Sequence, residues 1–127
     1  MNESSKWTIH MLAGLLIFLL LGMHMGIMHL SGFKADLGVA DGAESAVSKD
    51  NSLARDANPL FTATYIVLLA VALYHGLYGL KNILCELGLK EGLQKTIGVL
   101  LLLLGLGLFG LGTWAAITVH LTAAGNA

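Results

Sequence analysis

Three long stretches of this chain carry no Asp, Glu, Lys or Arg: residues 7–33, 57–80 and 96–127. Each is longer than the roughly 20 residues an α-helix needs to cross about 30 Å of hydrocarbon at 1.5 Å per residue. Every charge lies outside them: Glu3 and Lys6, a group within 34–56, and a group within 81–95. Only 12% of the residues are charged and 56% are hydrophobic, whereas an average soluble domain carries about a quarter charged residues. So few charges cannot cover a water-exposed surface. The pattern excludes a secreted domain, a soluble enzyme and a nucleic-acid binder. A net charge of −1 offers no phosphate-binding patch, and the single Cys85 excludes an internal disulfide and a thiolate zinc site.

In lipid the backbone must satisfy its own hydrogen bonds, so the three stretches are expected to be helices. The predicted architecture is an all-α integral membrane bundle, one domain with transmembrane helices over 8–30, 59–81 and 95–119. Asn58 and Pro59 mark the second start as a cap and a first helical residue. The first span is too long for a cleavable signal peptide, and no small-x-small cleavage site follows it. The polar segment 34–58 is expected to be a solvent loop with room for a short surface helix, and 82–94 a short loop joining antiparallel neighbours. Lys6, Lys81, Lys90 and Lys95 lie at one side of the bundle. Lys34, Lys49 and Arg55, offset by five acids, lie at the other. By a thin margin the positive-inside rule favours the N-terminus inside and the C-terminus outside. Gly98, Gly105, Gly107, Gly110 and Gly112 on the third helix permit close helix approach. A chain this small buries little, so it is expected to be one subunit of a larger assembly.

Five histidines stand out in so apolar a chain. His10, His29 and His120 fall at helix ends, where an ordinary interfacial histidine suffices. His24 and His75 fall within hydrocarbon, where an ionisable side chain is costly and needs a partner. Neutral imidazole is a good iron ligand and haem commonly takes axial histidine; a hydrogen bond to a neighbouring helix is the competing explanation. Each of the two is about 24 Å into its span, and the spans run in opposite directions. Their heights therefore differ by about 15–20 Å, too far to share one iron. If both are ligands they serve two haems at two levels, each completed by a histidine of another subunit. His75, Gly79, Asn82 and Glu86 form one helical stripe, and His10, Gly14, Ile17, Leu21, His24 and Met28 another. The bare backbone at Gly79 leaves room for a flat macrocycle. Lys81 is placed to pair with a haem propionate, although snorkelling at the boundary would also explain it.

The run from His75 to Glu86 resembles the membrane-anchor signature of succinate dehydrogenases and fumarate reductases, in which a histidine is followed by Gly four, Arg six and an acid eleven residues on; here these are His75, Gly79, Lys81 and Glu86. The run from Trp7 to His24 resembles the smaller anchor of the two-haem branch, with Trp7, Met11, Ala13, Gly14 and His24 at the pattern's positions. The likeness covers about residues 7–118. Met11 and Lys81 stand where the family has Arg, Glu86 where it has Asp, and Leu87 where many smaller anchors have a quinone-binding Tyr.

The resemblance implies a haem b-binding anchor that carries electrons between an iron–sulfur subunit and membrane quinone. It implies two haems shared with a second membrane-anchor subunit, and a flavoprotein subunit as a further partner. His75 would ligate the inner haem iron and His24 the outer one. Gly14, Gly79, Lys81 and His10 would line the haem, and Asn82, Glu86 and Trp7 the inner mouth where a quinone could bind. The expected location is the cytoplasmic membrane of a bacterium or archaeon. Two alternatives stay open from the residues alone: a one-haem anchor of the same family, and a haem-free structural or transport subunit.

Overall fold

The computed structural model describes the backbone of residues 2–29 and 49–125, and the side chains of 2–26 and 52–125. The described residues form four helices: α1 (Glu3–His29), α2 (Lys49–Asp56), α3 (Pro59–Glu86) and α4 (Glu91–Gly125). Three of them, α1, α3 and α4, are long and apolar enough to cross a membrane.

Each long helix outruns its apolar stretch at the charged end. The starts expected at residues 8 and 95 lie at Glu3 and Glu91, and the end expected at 81 lies at Glu86. Hydropathy locates the hydrocarbon, but helical hydrogen bonding continues through polar residues that cap well. At the start of α1, Asn2 Oδ1 accepts from the Ser5 N–H at 2.8 Å, which is N-capping. The Lys6–Glu3 ion pair at 2.6 Å is exposed and contributes little. Between α3 and α4 only residues 87–90 remain, so the loop joining them is much shorter than the expected 82–94. Leu87 closes α3 with its N–H on the Leu84 carbonyl. Gly88 turns the chain at φ 73°, a conformation that suits glycine.

The start of α3 is as the sequence predicts. Asn58 Oδ1 accepts from the Leu60 N–H at 2.9 Å, and Pro59 occupies the first position, where its missing N–H is no loss. We expect Asn58→Ala to lower stability by about 1 kcal/mol, measured as a shift in a denaturing-detergent titration.

The central helix is α3. It packs against α1 on one side and α4 on the other, while α1 and α4 do not approach within 8 Å between Cα atoms among the described residues. The three long helices therefore pack in the order α1, α3, α4. Almost nothing apolar is buried: among the described residues only Ala13 and Ala123 are, and Trp114 is 65% exposed. Helices that show apolar side chains all round find their second surface in lipid.

The segment 34–58 contains the short helix for which the sequence left room. Its last turns form α2, which packs on the ends of α3 and α4. Arg55 is buried at 5% exposure, with its guanidinium on Ser52 Oγ at 3.2 Å. The Asp56 carbonyl accepts from His120 Nδ1 at 2.6 Å and from Thr62 Oγ1 at 3.4 Å. These bonds tie α2 to both long helices. Residues 30–48, the rest of the expected loop, lie outside the described residues.

Candidate functional site

Both α1 and α3 carry a histidine followed four residues later by glycine: His10 and Gly14, His75 and Gly79. Residues four apart share a helix face. When two such helices pack antiparallel, each histidine can lie over the other helix's glycine. The structure has this arrangement. A Cβ on Gly14 would stand 3.0 Å from His75 Cε1, and one on Gly79 would stand 3.4 Å from His10 Cε1. The two imidazoles stack at 4.1 Å between centroids with 4° between their planes.

The bare backbone at Gly14 lets His75 reach past it to the main chain of α1. His75 Nδ1 lies 3.1 Å from the His10 carbonyl oxygen. A carbonyl only accepts, so Nδ1 carries the hydrogen. With its hydrogen on Nδ1, a neutral ring keeps its lone pair on Nε2. Metal-binding histidines are commonly oriented in this way, by a bond from the nitrogen not used for the metal.

His10 Nδ1 is buried and has no hydrogen-bond partner among the described residues. Its ring is bordered by Tyr78 at 5.2 Å and Tyr74 at 6.5 Å, which stack on each other at 5.7 Å. The room expected over Gly79 is thus filled by the His10 ring, because the antiparallel register brings that ring, one turn before Gly14, onto the same level.

His24 lies elsewhere. Its ring meets Tyr65 edge-on at 5.7 Å and 79°, and its nitrogens have no hydrogen bond to a described residue. Tyr65 precedes His75 by ten residues, or about 15 Å along α3. The two intramembrane histidines therefore stand at different heights, as their positions in the spans predict.

The remaining expected residues do not join the cluster. Lys81 turns toward α4: a Cβ on Gly98 would stand 3.3 Å from its Cε. Six residues on from His75, it faces another side of α3, away from the stacked imidazoles. Asn82 and Glu86 are exposed, and Trp7 is 64% exposed. His120 is occupied in holding α2. The side chains of Met28 and His29 lie outside the described residues.

Sequence reasoning missed the tyrosines. Tyr65, Tyr74 and Tyr78 are the polar aromatic side chains of the second charge-free span, and that scarcity was the available signal. It also placed His10 among interfacial residues, although its ring lies on His75. No protein-family model matches the chain, and no curated protein or solved structure matches it.

Proposed function

We propose that this chain is a haem b-binding membrane-anchor subunit of a succinate:quinone oxidoreductase. In this reading it works with a flavoprotein, an iron–sulfur subunit and a second membrane anchor in the cytoplasmic membrane of a bacterium or archaeon. The N-terminus is inside. The observation that carries the reading is the state of His75: its Nδ1–H is committed to the His10 carbonyl, which leaves Nε2 as an oriented donor inside a membrane-spanning layer. The motif from His75 to Glu86 supports the family, and the separate height of His24 supports two haems rather than one.

The fit to the group rests on the imidazoles: His75 and His24 have the chemistry to hold haem iron, whereas the space over Gly79 is taken by the His10 ring and Lys81 lies against Gly98. His75 and His24 would each hold a haem iron through an imidazole nitrogen, together with residues of the second anchor. Haem iron supplies one-electron transfer, at a potential set by its ligands and surroundings. The chain's own part is to orient the imidazoles and to keep water from them. Gly14 admits the His75 ring to the α1 backbone, and Tyr74 and Tyr78 border the His10 ring beside it. Ligands at two levels would divide the roughly 30 Å of hydrocarbon into shorter intervals.

A second reading has its own observation. The His10 and His75 rings fill the notches over Gly79 and Gly14, so the pair also serves as a packing device in a haem-free subunit. Absorption spectroscopy separates the two. We expect the complex purified through this chain to show a reduced b-type band at two haems per pair of anchors. The absence of that band overturns the haem reading, and one haem per pair leaves His24 as a packing residue.

A further inference from the structure

The face of α3 opposite α1 holds a different feature. A groove of about 420 Å³ runs between α3 and α4. On α3 it extends from Lys81 to Ala70, and on α4 from Gly98 to Phe109. Either stretch is about 16 Å long, half of the roughly 30 Å hydrocarbon thickness and so the depth of one leaflet. The helices touch beside it where Leu77 of α3 meets the bare backbone of Gly105, 2.7 Å from a Cβ built there.

The groove's wall is almost wholly apolar, and Lys81 is the one charged residue among those that line it. The Lys81 stem lies along Gly98, where a Cβ would stand 3.5 Å from Nζ. No carboxylate lies within 4 Å of this ammonium among the described residues. Lys95, one turn before Gly98, adds a second positive charge at the same end. A slot one leaflet deep, with a cation at its mouth that the Glu3 carboxylate reaches only at a distance beyond an ion pair, has the outline of a lipid site. The apolar wall takes an acyl chain, and the ammonium takes the phosphate at the membrane boundary. Basic pockets between membrane helices select acidic headgroups in this way.

We propose that the α3–α4 groove seats one acyl chain of an acidic phospholipid whose phosphate lies at Lys81. The groove shares Tyr74 and Tyr78 with the surroundings of the His10 ring, but neither histidine of the pair lines it, and the proposal does not rest on the haem reading. It is tested on the full chain, purified in mild detergent with the subunits that accompany it. The preparation is stripped of lipid, then exposed to dipalmitoyl phosphatidylglycerol or to phosphatidylcholine with the same chains, and retained lipid is counted by native mass spectrometry. The wild type retains phosphatidylglycerol over phosphatidylcholine by about fivefold, the preference expected of one lysine near the headgroups. Lys81→Gln loses the preference, and Lys81→Arg, which keeps the charge, retains it and shows that position 81 tolerates exchange. Ala70→Phe, at the deep end, lowers retention of both lipids. Equal retention of the two lipids by the wild type overturns the proposal. So does a preference unchanged in Lys81→Gln, or displacement of the phospholipid by an uncharged isoprenoid quinone.

Discussion

On the proposed haem reading, His75→Ala is expected to remove one haem from the purified complex and leave a second, and His24→Ala to remove that second one. Two physical facts make the losses separable. The side chains stand about 15 Å apart along α3 and touch different neighbours, His10 in one case and Tyr65 in the other. Sites this far apart with no shared partner respond independently. If the imidazole holds the iron, its removal takes away this chain's bond to the group, so the expected loss is of the whole haem. The measurement is haem iron per chain together with the reduced spectrum, in which two overlapping b-type components become one. Retention of both haems in either variant overturns the assignment of that residue. His10→Ala is the useful comparison. It removes the stacked neighbour of His75 but keeps the His10 carbonyl, the acceptor of the His75 Nδ1–H, so the haem at this level persists.

On the same reading, Gly14→Val is expected to expel the haem held by His75 while leaving His75 in the chain. A Cβ at position 14 would stand 3.0 Å from His75 Cε1 and 3.4 Å from Nδ1, and valine adds two methyl groups beyond that. The imidazole must swing out, and its bond to the His10 carbonyl is lost with the movement. Overpacking of this kind costs about 1–3 kcal/mol. Gly22→Val on the same helix is the control, because nothing lies within 4 Å of a Cβ there. Thermal denaturation in detergent and haem content, read on both variants, separate the two readings of the histidine pair. If His75 is a ligand, Gly14→Val loses stability and one haem, and Gly22→Val loses neither. If the pair only packs, Gly14→Val loses stability with no spectral change. Gly79→Val is expected to be milder, since its Cβ would stand 3.4 Å from His10 Cε1.

The residues most clearly legible in the sequence were those whose information is one-dimensional. The absence of charge over 7–33, 57–80 and 96–127 identifies the three long helices, because burial of charge in hydrocarbon is costly. Asn58 and Pro59 mark a helix start because capping is local. The unequal heights of His24 and His75 follow from counting at 1.5 Å per residue along oppositely directed helices. Helix ends were less legible, since Glu3–Lys6 and Asn82–Glu86 are polar yet helical, and hydropathy reports the solvent rather than the backbone.

Rotation about each helix axis was hidden for a different reason. Helices apolar on every side carry no directional pattern to say which face meets a neighbour. Lys81 could therefore be assigned by spacing to the same surroundings as His75, although it packs toward α4. His10 could be taken for an interfacial residue, although its ring lies on His75. The repeated spacing of histidine and glycine on α1 and α3 held a clue, but it becomes a contact only when the helices are antiparallel and in one register.

The amino-acid order alone determined that there are three helices long and apolar enough to cross a membrane, and how far along them His24 and His75 lie, because these depend on composition and rise along a single axis. Only the tertiary structure decided which imidazole meets which glycine, that α3 lies between α1 and α4, and that α2 is held over the ends of α3 and α4. Those are relations between separate helices, set by fitting side chains into the notches of a neighbour.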